Sequence, residues 1–240
     1  MRSARPRGWT ETWFALPEDR RTGPLVVAID GPAGAGKSSV SRRVALRLGV
    51  PFLDSGMFYR AVALLAQEEQ VPLDDGERLA AIASRPALRI EKERILLGDR
   101  DLTDLIHRPE INRNLSAIAG VAQVRDAINA RQRELASGGL VVAGRDLGTV
   151  VFPRARHKFF LTAGLRERVR RRLTQIGRRG ETVDEAAMER EIAGRDVADS
   201  TRTVAPLRPA ADAAVINTDH LKVDEVVEMI LKLIRERDGG

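Results

Sequence analysis

The chain has no cysteine among its 240 residues, which excludes disulfides, cysteine-ligated zinc and thiol nucleophiles and leaves packing as the source of stability. Aromatic side chains are scarce, at two Trp, one Tyr and six Phe, and three of them (Trp9, Trp13 and Phe14) sit near the N-terminus. A protein that grips single strands needs stacking platforms among its basic residues, so nucleic acid is not an expected partner. No run of about 18 apolar residues is available to cross a bilayer. No apolar segment follows the basic N-terminal residues as a secretory signal requires. No membrane partner is expected, and the cytoplasm is the default location. The three histidines, His107, His157 and His220, are isolated in sequence and read as packing or surface residues.

What the chain has in excess is arginine. Its 40 basic residues outnumber 34 acidic ones, for a formal charge of +6, but the two signs are interleaved. Interleaving points to small polyanions rather than a long nucleic-acid track. The planar guanidinium fork suits bidentate contact with phosphate oxygens.

Residues 1–24 carry Pro, Gly and mixed charge without a sustained period and read as a disordered extension, leaving 25–237 as a single domain. From Leu25, the run Leu-Val-Val-Ala-Ile reads as a strand buried on both faces of a parallel sheet. A helix over 37–48 places Val40, Val44 and Leu48 on one face, and a second runs from about Ser55 to Glu69. Segments ALRIE and RILLG predict a small hairpin, and 109–136 predicts helices. Residues of about 70–136 therefore interrupt the strand–helix alternation as an insertion. Alternation resumes with LVVA (140–143), KFFLT (158–162) and AAVIN (213–217). A last amphipathic helix over 223–237 has Asp224 and Glu225 in its first turn and Arg235 and Arg237 in its last, matching its dipole. The fold class is α/β: a doubly wound parallel sheet of about five strands flanked by helices.

Gly31-Pro32-Ala33-Gly34-Ala35-Gly36-Lys37-Ser38 fits the phosphate-loop pattern G-x-x-x-x-G-K-[ST] between a predicted strand and a predicted helix. The loop's N–H groups and the helix dipole would hold the phosphates of ATP, with Ser39 completing the set. Lys37 would reach the β- and γ-phosphates, and Ser38 would ligate Mg²⁺. Neither Asp-x-x-Gly nor Asn-Lys-x-Asp occurs, which argues against a GTPase.

On the acceptor side, Leu53-Asp54-Ser55-Gly56-Met57-Phe58-Tyr59-Arg60 groups a hydroxyl, a turn glycine, a phenol and a guanidinium at a strand end. Taken alone, Asp54 or Ser55 reads equally as a helix cap, Tyr59 as core and Arg60 as a solvated charge. Gly144-Arg145-Asp146-Leu147-Gly148-Thr149 follows LVVA at its carboxyl end, where open α/β sheets bind ligands. There Arg145 can clamp phosphate while Asp146 accepts a hydrogen bond from an exocyclic amine.

The segments IDGPAGAGKSS, LDSGMFYRA, LSAIAGVAQVR, AGRDLGTVVFP and RDVADSTRTVAPLRPAADA, in that order, resemble bacterial cytidylate kinases from Val26 to Ile234. The resemblance implies a monomeric P-loop kinase that converts CMP and dCMP to their diphosphates with ATP and Mg²⁺. It implies that Ser55, Tyr59 and Arg60 surround the acceptor nucleotide, that Arg145 binds its phosphate, and that Ser116 and Arg125 read cytosine with Asp146. It further implies that Asp199 holds the ribose, that Arg202 approaches base or phosphate, and that Arg195 acts from a lid. Taken alone, the last three read as exposed loop charges. The lid segment is 177–202, whose bland reading is a solvated helix pair. Catalysis would rest on Lys37, Arg145 and Arg195.

Two departures from the resembled pattern stand out. Ala143 occupies a strand-end position where the family commonly carries an acid, with Asp30 or Asp146 as possible compensators near Mg²⁺. Met57 and Phe58 make the acceptor motif bulkier than usual. A kinase for UMP, AMP or a sugar acid is the alternative enzyme, and an ATP-dependent RNA-binding protein is the alternative from another class.

Overall fold

The computed structural model describes residues 23–178, 180 and 182–239. The expected N-terminal extension lies outside them, except for Gly23 and Pro24. Along the chain, β1 (Val26–Asp30) leads into α1 (Lys37–Leu48) and β2 (Phe52–Asp54) into α2 (Gly56–Glu68). Next come α3 (Gly76–Ala83), the strands β3 (Leu88–Glu91), β4 (Arg94–Leu97) and β5 (Arg100–Asp101), and then α4 (Pro109–Gly120) and α5 (Ala122–Leu135). The alternation resumes with β6 (Leu140–Gly144), β7 (His157–Thr162), α6 (Leu165–Gly177), α7 (Glu185–Thr201), β8 (Ala214–Asn217) and α8 (Val223–Asp238).

Five strands form one sheet in the order β2-β6-β1-β7-β8, and every neighbouring pair is parallel. Alternation along the central strand divides the core. Val27 and Ile29 join the cluster packed under α1 and α8 with Val40, Val44 and Ile230. Ala28 joins the cluster under α2 to α5 with Phe58, Leu65, Ile118 and Ile128. Both layers are closely filled: Phe58 and Phe159 are each 1% exposed, and truncating such a side chain to Ala costs about 3–5 kcal/mol. Because successive crossovers leave β1 on opposite sides, toward β6 and toward β7, a crevice opens at the carboxyl ends of these strands.

The strands β3, β4 and β5 make a separate antiparallel sheet, of which the sequence announces the β3–β4 hairpin but not the two-residue β5. Helix α3 is also unannounced. Its start is set by Asp75, whose side chain accepts from Arg78 N at 3.0 Å, and it buries Leu79, Ile82 and Ala83. Arg131 of α5 reaches back to Ala83 O and Arg85 O (3.0 and 2.9 Å), so it satisfies carbonyls around the end of α3. Helices α6 and α7 pack through Val169, Met188 and Ile192. That small core makes them a packed pair rather than two solvated helices. His157 is a packing residue, 2% exposed, with Nε2 3.0 Å from Asp238 at the end of α8.

Candidate active site

The turn after β1 can adopt its path only with glycine at Gly31: φ is +147°, and a Cβ there would lie 2.0 Å from Leu161 O. Lys37, the first residue of α1, is buried and donates from Nζ to Pro32 O at 2.7 Å. Burial lowers its pKa, and Arg145 adds to the shift. Residues Ala33 to Ser39 line a continuous cleft of about 880 Å³. Gly31 and Pro32 lie outside its lining; they shape the loop from beneath and supply the Pro32 carbonyl to Lys37.

Facing the loop is Asp54 at the end of β2. Its Oδ2 accepts the Ser38 hydroxyl at 2.8 Å, and Oδ1 accepts Gly56 N at 3.0 Å. Burial pushes the Asp54 carboxyl up, but Arg60, Ser38 and Lys37 more than offset this, and it stays ionised with a lowered pKa. Asp54 is in register with Ala143, so a carboxylate is present one strand away from the strand-end position that lacks one. Asp30 accepts from Leu147 N (2.9 Å) and Gly148 N (2.8 Å), so its carboxylate is engaged with the turn after β6. Asp146 pairs with Arg125 through Oδ2, and its Oδ1 lies 3.6 Å from Arg202 Nη2. An alcohol beside an ionised carboxylate at the start of a phosphate-loop helix is a donor set that suits a magnesium ion with its water shell.

The other end of the cleft is built from α2, α4, α5 and the turn after β6. Ser55 and Tyr59 are each 7% exposed, and the Arg125 guanidinium lies 5.5 Å from the centre of the Tyr59 ring. Arg125, 2% exposed, donates to Ala119 O (2.9 Å) and pairs with Asp146. Arg60 lines the same cleft, and its Nε is buried with no hydrogen-bond partner among the described residues. Met57 lines the cleft, whereas Phe58 turns to the core beneath Arg131. Ser116 is half-buried on α4 and does not line the cleft. Asn112, Leu115 and Ala119 do, because their spacing of three and four residues presents one helical stripe with Ser116 at its margin.

Between the two ends sit the charges of α7. Asp199, Arg195 and Arg202 are not exposed loop charges: Asp199 and Arg195 lie on α7, Arg202 caps it, and their side chains are 6%, 22% and 9% exposed. Asp199 accepts from Arg145 Nε at 2.8 Å, and Arg195 and Arg202 approach it at 3.9 and 3.8 Å. Burial, together with Arg145 and Arg60, pulls the Arg195 pKa down to about 9. A guanidinium remains charged at neutral pH regardless, so the crowding of Arg60, Arg145 and Arg195 marks a place that an anion would stabilise.

A family model described as Cytidylate kinase matches residues 27–236. The chain belongs to the cytidylate kinase family. It is 44% identical over 214 residues to a cytidylate kinase of Desulforamulus reducens, covering 88% of this chain and 96% of that one. It is 43% identical over 215 residues to a cytidylate kinase of Shouchella clausii, with the same coverage. A bifunctional pantoate ligase/cytidylate kinase of Synechococcus sp. (strain JA-3-3Ab) is 43% identical over 235 residues, covering 93% of this chain. The chain spans 44% of that relative's length.

Several groups in this cytidylate kinase family cleft escape the sequence motifs. Arg171 donates to Thr218 Oγ1 (3.0 Å) and Thr218 O (2.5 Å), and beside it Leu221 and Val223 form the end of the cleft beyond the phosphate loop. Asn112 and Arg172 also line it. The available signal was the arginine run on α6, which without a structure cannot be told from a solvated face. No helix among the described residues is long and apolar enough to cross a membrane.

Proposed function

We propose that the protein transfers the γ-phosphoryl group of ATP to CMP or dCMP, giving ADP and CDP or dCDP, and that it works as a monomer in the cytoplasm. The observation that carries this reading is that one cleft joins the phosphate loop to the Tyr59, Arg125 and Asp146 pocket, with Lys37, Arg145 and Arg195 between them. Membership of the cytidylate kinase family supports the choice of acceptor.

In this reading the loop from Gly31 to Ser39 holds ATP, and Lys37 exchanges its bond to Pro32 O for the β- and γ-phosphates. Arg60 and Arg145 hold the acceptor phosphate, and Arg145 also meets the transferring group from the turn after β6 while Arg195 meets it from α7. The acceptor oxygen is already anionic, so alignment and charge neutralisation replace a general base. Ser38 and Asp54 fit Mg²⁺, which when bound supplies further neutralisation of the phosphates. At the base end, Asp146 accepts from the cytosine amine, Arg125 donates to the ring's acceptors, and Tyr59 packs against the ring. Ser116, placed at the margin of the α4 stripe, would reach the base only after a small rotation of the helix. Asp199 and Arg202 meet the ribose side. Elements α3 to α5 enclose the acceptor, and α7 serves as a lid that keeps water from ATP.

Uracil offers a carbonyl where cytosine offers the amine, and it would leave Asp146 facing an acceptor. Calorimetric titration tests this reading. CMP and dCMP bind, and UMP is weaker by about 10²-fold or more, as buried polar readers require. Equal affinity for CMP, UMP and AMP would contradict the assignment.

A further inference from the structure

Against the phosphate loop, outside the cleft lining, one buried arginine joins three segments. Arg168, in the first turn of α6, is 6% exposed. Its Nε donates to Ala163 O (3.0 Å) just after β7, Nη1 donates to Ala33 O (3.1 Å) in the phosphate loop, and Nη2 pairs with Asp196 of α7 (2.6 Å). The loop rests directly on this side chain, since a Cβ at Gly34 would lie 2.9 Å from Arg168 Cβ. A planar guanidinium can serve three acceptors in fixed directions, which the single ammonium of lysine cannot.

Asp196 immediately follows Arg195 and precedes Asp199 by three residues. Arg195 and Asp199 line the cleft, and Asp196, on the same helix, is held at its flank by Arg168. The other Asp196 oxygen, Oδ1, is buried with no hydrogen-bond partner among the described residues. The attachment of this carboxylate to the phosphate loop therefore runs through Arg168. The peptide between Ala33 and Gly34 presents its N–H to one side and its carbonyl to the other, and Arg168 holds the carbonyl. The orientation of the loop and the position of α7 thus share one side chain.

Resting on the phosphotransferase reading, we infer that Arg168 and Asp196 are positioning residues that couple donor binding to acceptor binding. A donor that fixes the loop peptide fixes Arg168, then Asp196, and with it the cleft-lining Arg195 and Asp199. By linkage an acceptor held by Asp199 tightens the donor by the same factor.

The test is calorimetric titration of CMP into the full chain, alone and with a saturating non-hydrolysable ATP analogue and Mg²⁺. In the unmodified protein the analogue raises CMP affinity by about 5–150-fold, the usual span of such coupling. Asp196→Asn and Arg168→Lys both bring that factor toward one. Asp196→Asn, the isosteric change, leaves analogue binding in the absence of CMP within about two-fold, so the coupling and the binary affinity separate. A folded variant with the full coupling factor overturns the inference, as does a loss of both binary affinities with the factor unchanged. Coupling absent from the unmodified protein while CMP still binds also overturns it and leaves the proposed function standing. Failure of CMP to bind at all would instead reject the function.

Discussion

The Arg145 guanidinium donates from Nε to Asp199 on α7 at 2.8 Å and from Nη1 to Gly31 O in the phosphate loop at 3.0 Å. One side chain following β6 therefore bridges the phosphate loop and α7, and on the proposed mechanism it carries charge stabilisation of the transferring phosphoryl group. Arg145→Ala is expected to lower kcat by roughly 10³–10⁵-fold, the range for finger-type arginines. The fold survives, because Asp199 keeps Arg195 and Arg202 within 4 Å. Steady-state turnover beside a thermal melt checks both halves; near-normal turnover contradicts the role.

Asp54 lies one strand away from Ala143, in register with it. Its ionised carboxylate accepts the Ser38 hydroxyl, and an ion bound at Ser38 would have its water shell ordered by the same group. Asp54→Asn keeps the shape and an acceptor oxygen but removes the charge. The Mg²⁺ concentration for half-maximal activity is expected to rise about 10–100-fold, as for loss of other outer-shell partners. Mg²⁺-dependent binding of an ATP analogue should weaken in parallel; an unchanged Mg²⁺ dependence contradicts the assignment.

Asp30 titrates apart from the other carboxylates. Burial raises its pKa from the ordinary 3.8 to about 6, although Gly148 N and Leu147 N donate to it. Because the folded value exceeds the unfolded one, the folded chain takes up the proton more readily. This group's contribution to stability is full below about pH 4, is lost as pH rises through 6, and is flat above. Asp54 and Asp199 have lowered values and act in the opposite sense, with stability present above the ordinary carboxylate value and lost on acidification. A carboxyl-carbon NMR titration should give Asp30 a midpoint of about 6; a midpoint near its ordinary value contradicts this environment.

Local signals were strong where chemistry and chain geometry coincide. The phosphate loop demands glycines, and α1 begins at Lys37 because the loop ends there. The alternation of short β-branched runs with helices gave the five-stranded sheet, and the apolar pattern of residues 88–97 gave the hairpin. Burial of charge was not legible. Asp199 and Arg202 look solvated in a segment dense with Asp, Glu and Arg, and tertiary packing of α7 on α4 and α6 together with Arg145 and Asp146 after β6 encloses them. Asp54 is legible as a cap for Gly56 N, but its bond to Ser38 joins residues 16 apart. Arg168 gives no sequence signal either, because its three acceptors come from separate segments. On α4, the family pattern selects Ser116, while the helix phase of this chain brings Asn112, Leu115 and Ala119 to the cleft.

The measurement to make first is ADP release from ATP and Mg²⁺ with CMP, dCMP, UMP, AMP or no acceptor, comparing the unmodified protein with Lys37→Ala. Turnover on CMP and dCMP that exceeds the other acceptors by orders of magnitude and is lost with Lys37 is the expected result. Equal rates with every acceptor, or acceptor-independent ADP release that survives Lys37→Ala, would contradict phosphoryl transfer to a cytosine nucleotide.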